Sequence, residues 1–83
     1  GKIEASGDRY QEADHALTGT RAAYFSEVGD FVETRIYDGE ELQAGNRIPG
    51  PAILEMAGTT VVVTPSYTGE LDRYRNIVLR EKF

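Results

Sequence analysis

Pro51-Ala52-Ile53-Leu54-Glu55-Met56-Ala57-Gly58-Thr59-Thr60-Val61-Val62-Val63-Thr64-Pro65 reads as two short strands around a tight connection. Three successive valines followed by a threonine lose side-chain freedom in a helix and sit well on a pleated surface, which predicts a strand over 60–64. Ala57-Gly58-Thr59 supplies the connection, and 52–56 forms the strand before it. Ile53 and Leu54 are adjacent and both apolar. Successive side chains of a strand point to opposite faces, so this strand carries apolar groups on both, as a central strand does.

Working outward, Pro49-Gly50-Pro51 holds the chain extended and then turns it. Residues 38–45 read as one helical turn, with Asp38 capping the open N–H groups and Gly45 suited to a left-handed stop. Two further strands are predicted upstream, over 20–26 and 31–37, joined as a hairpin at Gly29-Asp30. In the second of them Val32 and Ile36 share one face, which alternation assigns to the core. Downstream, 68–74 and 76–80 form the last pair. Residues 1–19 are polar, with only Ile3, Tyr10 and Leu17 as sizeable apolar groups, and are expected to be a flexible linker or tail. The predicted fold is therefore all-β: a small antiparallel β-barrel or sandwich of about six strands over 20–83, with one short helical turn and a flexible N-terminal segment.

Eighty-three residues bury enough surface for one small domain and not two. The absence of cysteine excludes disulfides, thiolate metal sites and thiol catalysis. A net charge of -5 repels phosphate backbones and anionic lipid, which argues against nucleic acid or a membrane surface as a partner. Pro51 to Leu54 and Val61 to Val63 are the longest apolar runs, far short of the roughly 20 residues a membrane helix needs. The first residues carry no signal-peptide-like stretch, and Gly1 is expected to be an excision boundary rather than a native start.

No catalytic, cofactor-binding or metal-ligating residue emerges from the chemistry-bearing side chains. His15, the lone histidine, lies in the expected tail without converging ligands. Asp38, Glu40 and Glu41 do not match a calcium loop and read as a cap with a solvated acidic turn. Nothing places Glu55 and Asp72 as an acid–base pair, and Ser26 and Ser66 lack a nucleophile context. Gly45-Asn46-Arg47-Ile48-Pro49-Gly50 has glycines at both ends but no following Lys-Ser/Thr, and its proline removes a donor that a phosphate cradle needs. Thr59 and Thr60 fit turn and strand-edge chemistry, and Arg73 and Arg75, two arginines near a hairpin tip, are too weakly specific to mark an anion site.

Arg21-Ala-Ala-Tyr24-Phe25, Ile36-Tyr37-Asp38 with Leu42 and Gly45, Ile48-Pro-Gly50-Pro51-Ala52-Ile53-Leu54-Glu55, Thr59-Thr60-Val61-Val62-Val63 with Pro65, and Asp72 with Asn76-Ile77-Val78-Leu79 stand in one order and spacing. This pattern resembles the C-terminal domain of the hydantoinase A, 5-oxoprolinase and acetone carboxylase family, over about sixty residues. Two departures touch turns: Ser66-Tyr67 stands where a Gly-aromatic pair is common, and Tyr74-Arg75-Asn76 replaces the usual Gly before Asn. The resemblance implies a cytoplasmic parent protein that uses ATP and a divalent metal to open cyclic amides or carboxylate ketones. Both would be held in preceding domains, leaving this domain without cofactor or catalytic role. Its expected partners are those upstream domains and a second subunit, met through apolar groups among Tyr24, Phe25, Phe31, Tyr37, Tyr67 and Tyr74. A freestanding β-barrel module that binds a ligand or peptide at an edge strand is the alternative.

Overall fold

The computed structural model describes residues 13–83. A 3-10 turn, Asp14–Ala16, leads into seven strands: β1 (Leu17–Phe25), β2 (Asp30–Asp38), β3 (Arg47–Pro49), β4 (Ala52–Met56), β5 (Thr59–Val63), β6 (Tyr67–Leu71) and β7 (Ile77–Glu81). A second 3-10 turn, Gly39–Glu41, follows β2. The strands form two sheets, ordered β1-β2-β4-β5 and β3-β6-β7. The architecture is thus the expected all-β class in its sandwich form, without barrel closure.

The expectation of a wholly antiparallel sheet fails at one place, because β2 and β4 pair in parallel, Tyr37 beside Leu54. Parallel neighbours need a crossover of a dozen or more residues. Residues 39–51 supply it by running through β3 in the other sheet before returning to the starting end of β2. The chain changes sheets at Gly50, whose amide donates to the Tyr67 carbonyl at 2.8 Å. A Cβ there would overlap the Thr64 carbonyl, so only glycine lets the backbones cross this closely. The Gly50-Pro51 peptide bond is cis.

The core lies between the sheets. Tyr37, Ala52, Leu54 and Val63 on the inner face of the larger sheet meet Ile48 and Leu71 of the smaller one, with Leu42, Ala13 and Ala16 closing one end. Val32 and Ile36 are therefore not the buried face of β2: they lie half-buried on the outer side, while Tyr37 is 2% exposed. The alternation was read correctly, but the covering sheet lies on the Tyr37 side. The expected tail divides too. Residues 1–12 lie outside the described region, whereas Ala13 and Ala16 join the core and Leu17 opens β1.

Candidate interaction surface

Asp38, Glu40 and Asp72, singled out by sequence, are engaged in building turns. Asp38 Oδ1 accepts the Glu40 amide at 3.0 Å, as its capping role requires, and Glu40 Oε2 accepts the Ala57 amide at 3.2 Å. The Asp72 carboxylate accepts the amides of Asn76 (2.8 Å) and Tyr74 (2.9 Å) within its own loop. Those bonds, the Asn76 amide foremost, hold its carboxyl below the usual carboxylate range. Glu55 stands exposed on β4, in register with Thr60 on β5, and no contact links it to Asp72 among the described residues. Ser66 donates from Oγ to Glu27 Oε2 at 2.6 Å, tying the β5–β6 connection to the turn of the β1–β2 hairpin. The exposed ring of His15 reaches the Glu41 carbonyl from Nε2 at 2.8 Å, which tethers the entry segment to the second 3-10 turn.

Arg73 and Arg75, a weakly specific anion signal in the sequence, are engaged in two different contacts. Arg73 lies over the Tyr74 ring, 5.1 Å from its centroid. Arg75 occupies the left-handed region at φ 69, the position where the resembled family carries glycine. Its guanidinium donates to the carbonyls of Leu42 (2.7 Å) and Gly39 (3.0 Å), the second of which also accepts the Leu42 amide at 3.2 Å. Asn46, which after Gly45 reads as turn punctuation, is fully buried, accepts the Gln43 amide on Oδ1 at 2.7 Å, and through its carbonyl receives the Leu71 amide at 3.2 Å. Its burial has no signal in the sequence.

Nor does the 45–50 segment form a phosphate cradle. The Gly45 amide donates to Leu71 and the Gly50 amide to Tyr67, both at 2.8 Å, and Pro49 has none to offer. No group of three or more His, Asp or Glu that could hold a metal ion occurs among the described residues. No helix among them is long and apolar enough to cross a membrane.

What remains is apolar surface. Residues in register share a face of a sheet, so Ala23 with Val32, and Ile36 with Ile53 and Val62, line the side of the larger sheet away from the core. Val62 is 48% exposed, the other four are half-buried, and Thr34 in their midst is fully buried with its hydroxyl on the Val32 carbonyl. A hollow of about 400 Å³ opens here, lined by Arg21, Ala23, Phe25, Phe31, Ile53 and Val62 among others. Of the six aromatic residues named from sequence, Phe25 and Tyr37 are buried and leave the set. Tyr67 is half-buried, and Tyr24, Phe31 and Tyr74 stay exposed. Tyr24 and Phe31 meet edge to face at the hairpin end, ring centroids 5.5 Å apart.

The family model for the hydantoinase/oxoprolinase C-terminal domain matches residues 3–82. The acetophenone carboxylase gamma subunit of Aromatoleum aromaticum is 42% identical over 64 residues, which are 77% of this chain and 9% of that protein. The acetone carboxylase beta subunit of Xanthobacter autotrophicus is 38% identical over 68 residues, 82% of this chain and again 9% of the relative. A nucleotide-free structure of acetone carboxylase superposes with a TM-score of 0.74 at 35% identity, covering 87% of this chain and 10% of that one. The chain thus spans about a tenth of the length of the relatives it matches. With the two-sheet sandwich, the motif order from Arg21 to Leu79 and the family match in agreement, this chain belongs to the hydantoinase/oxoprolinase C-terminal domain family.

Proposed function

We propose that this chain is the non-catalytic C-terminal β domain of an ATP-dependent, cytoplasmic subunit that hydrolyses a cyclic amide or carboxylates a ketone, and that it works by packing between domains or subunits. One observation carries the reading. The polar groups that could do chemistry are committed to turns, while the outer face of the four-stranded sheet keeps its apolar groups open. ATP and a divalent metal belong, on this reading, to preceding domains, because the amides of Gly45, Asn46 and Gly50 are already given to carbonyls. The relatives' names, each a carboxylase subunit, support a setting of several chains.

The chain alone, supplied with ATP and magnesium and with hydantoin, 5-oxoproline or acetone in turn, is expected to consume no ATP above the blank. ATP-dependent product from this chain alone would overturn the reading. A second cleft of about 400 Å³, between β5 and β7 and lined by Met56, Val61, Ile77 and Leu79 among others, favours the freestanding binding module as the alternative. Native mass separates the two: the tryptic peptide 48–73 should come from a cellular protein many times longer than 83 residues. Its recovery from a chain of this size would favour the module.

A further inference from the structure

We infer that the outer face of the four-stranded sheet is covered by the preceding part of the same polypeptide. The inference rests on the packing reading above and names the occupant. The face is built to be covered. Its apolar groups span all four strands: Ala23 stands in register with Val32, and, four residues along β2, Ile36 with Ile53 and Val62. The outer face of the smaller sheet is more polar: there Arg47 pairs with Glu70, Pro49, Thr68 and Arg80 lie in register, and Val78 beside Glu70 is half-buried.

Three occupants made of this protein compete, and a separate subunit is the fourth. Residues 1–12 carry only Ile3 and Tyr10 as large apolar side chains, too few to cover a stripe four strands wide. A second copy would bring a net charge of -5 against another -5, with Asp38 and Glu55 at one end of the very face to be joined. The remaining candidate is the rest of the polypeptide. The family model is a C-terminal domain and this chain spans 9% of its relatives, so about nine tenths of such a protein precedes it. The chain enters through the Asp14–Ala16 turn directly into β1, which is an edge strand of this same sheet. A surface tethered there meets the sheet as an intramolecular partner at high effective concentration, which no separate subunit does.

Carbene footprinting read at Ile53 and Val62 tests this in three preparations: the 83-residue chain, the single parent polypeptide as its gene encodes it, and that polypeptide assembled with its other subunits. Strong labelling is expected in the first, at least fivefold less in the second, and no further fall in the third. Protection already present in the 83-residue chain would overturn the inference in favour of residues 1–12, or of a second copy if it fades on dilution. Protection that comes only on assembly would overturn it while leaving the packing reading intact. Equal labelling in all three would overturn both.

Discussion

The two sheets present opposite outer faces, and both are legible in how apolar residues are spaced. The three-stranded sheet turns Arg47, Glu70, Thr68 and Arg80 outward, with the half-buried Val78 among them, while Ile48, Gly69 and Leu71 face the core, so that β3 and β6 alternate as in a sheet with one wet side. The four-stranded sheet breaks that alternation. Ile53 and Leu54 are neighbours, as are Val61, Val62 and Val63, so whichever set turns inward leaves the other outside. In this sheet the runs put apolar groups on both faces, and the 83-residue chain supplies the cover for only one.

Adjacent residues on β4 give the largest expected contrast. Leu54 is fully buried and Ile53 half-buried, so Leu54→Ala should cost about 3 kcal/mol in chemical denaturation of this chain, and Ile53→Ala about 1 kcal/mol. Equal costs would mean that the outer face is already covered in the isolated chain. Next in size, Arg75→Ala removes two charge-assisted bonds and leaves a left-handed backbone, for an expected loss of about 2 kcal/mol. Arg75→Gly removes the same bonds but relieves the backbone, so its loss should be about 1 kcal/mol smaller. A glycine variant as unstable as the alanine one would sink that account of the position.

The smallest effect concerns acid. The Asp72 carboxyl titrates lower in the fold than in the open chain, so its contribution is complete above about pH 4 and is lost as pH falls through the folded value. Asp72→Asn should therefore narrow the gap between urea midpoints at pH 7 and pH 3, and an unchanged gap would contradict it. Asp72 shapes the β6–β7 turn of the polar sheet, so this variant should leave labelling at Val62 untouched.

The strands of the larger sheet were legible because β-branched residues and turn punctuation mark them: the 52–56 boundaries agree with β4, and the Asp38 cap and left-handed Gly45 stand where expected. What was not legible depends on partners distant in sequence. The three-residue β3 is too short for alternation and exists because β6 pairs with it. The parallel register of β2 with β4 follows from the crossover through β3, which no local pattern reports. The inner face of β2 was misassigned for the same reason, since Val32 and Ile36 alternate as cleanly as Phe31 and Tyr37. Arg75 hides its role best: the residue replaces a usual glycine, and only the fold brings Leu42 and Gly39 within its reach.

The contrast between the two outer faces is tested most directly by placing one charge on each, Val62→Glu and Thr68→Glu, in this chain and in the parent polypeptide. In the isolated chain both variants should stay within about 0.5 kcal/mol of the original, because both sites meet solvent there. In the parent, Val62→Glu is expected to cut the yield of folded protein at least tenfold while Thr68→Glu leaves it unchanged. A parent that tolerates Val62→Glu as well as Thr68→Glu would contradict the claim that the outer face of the four-stranded sheet is a docking surface.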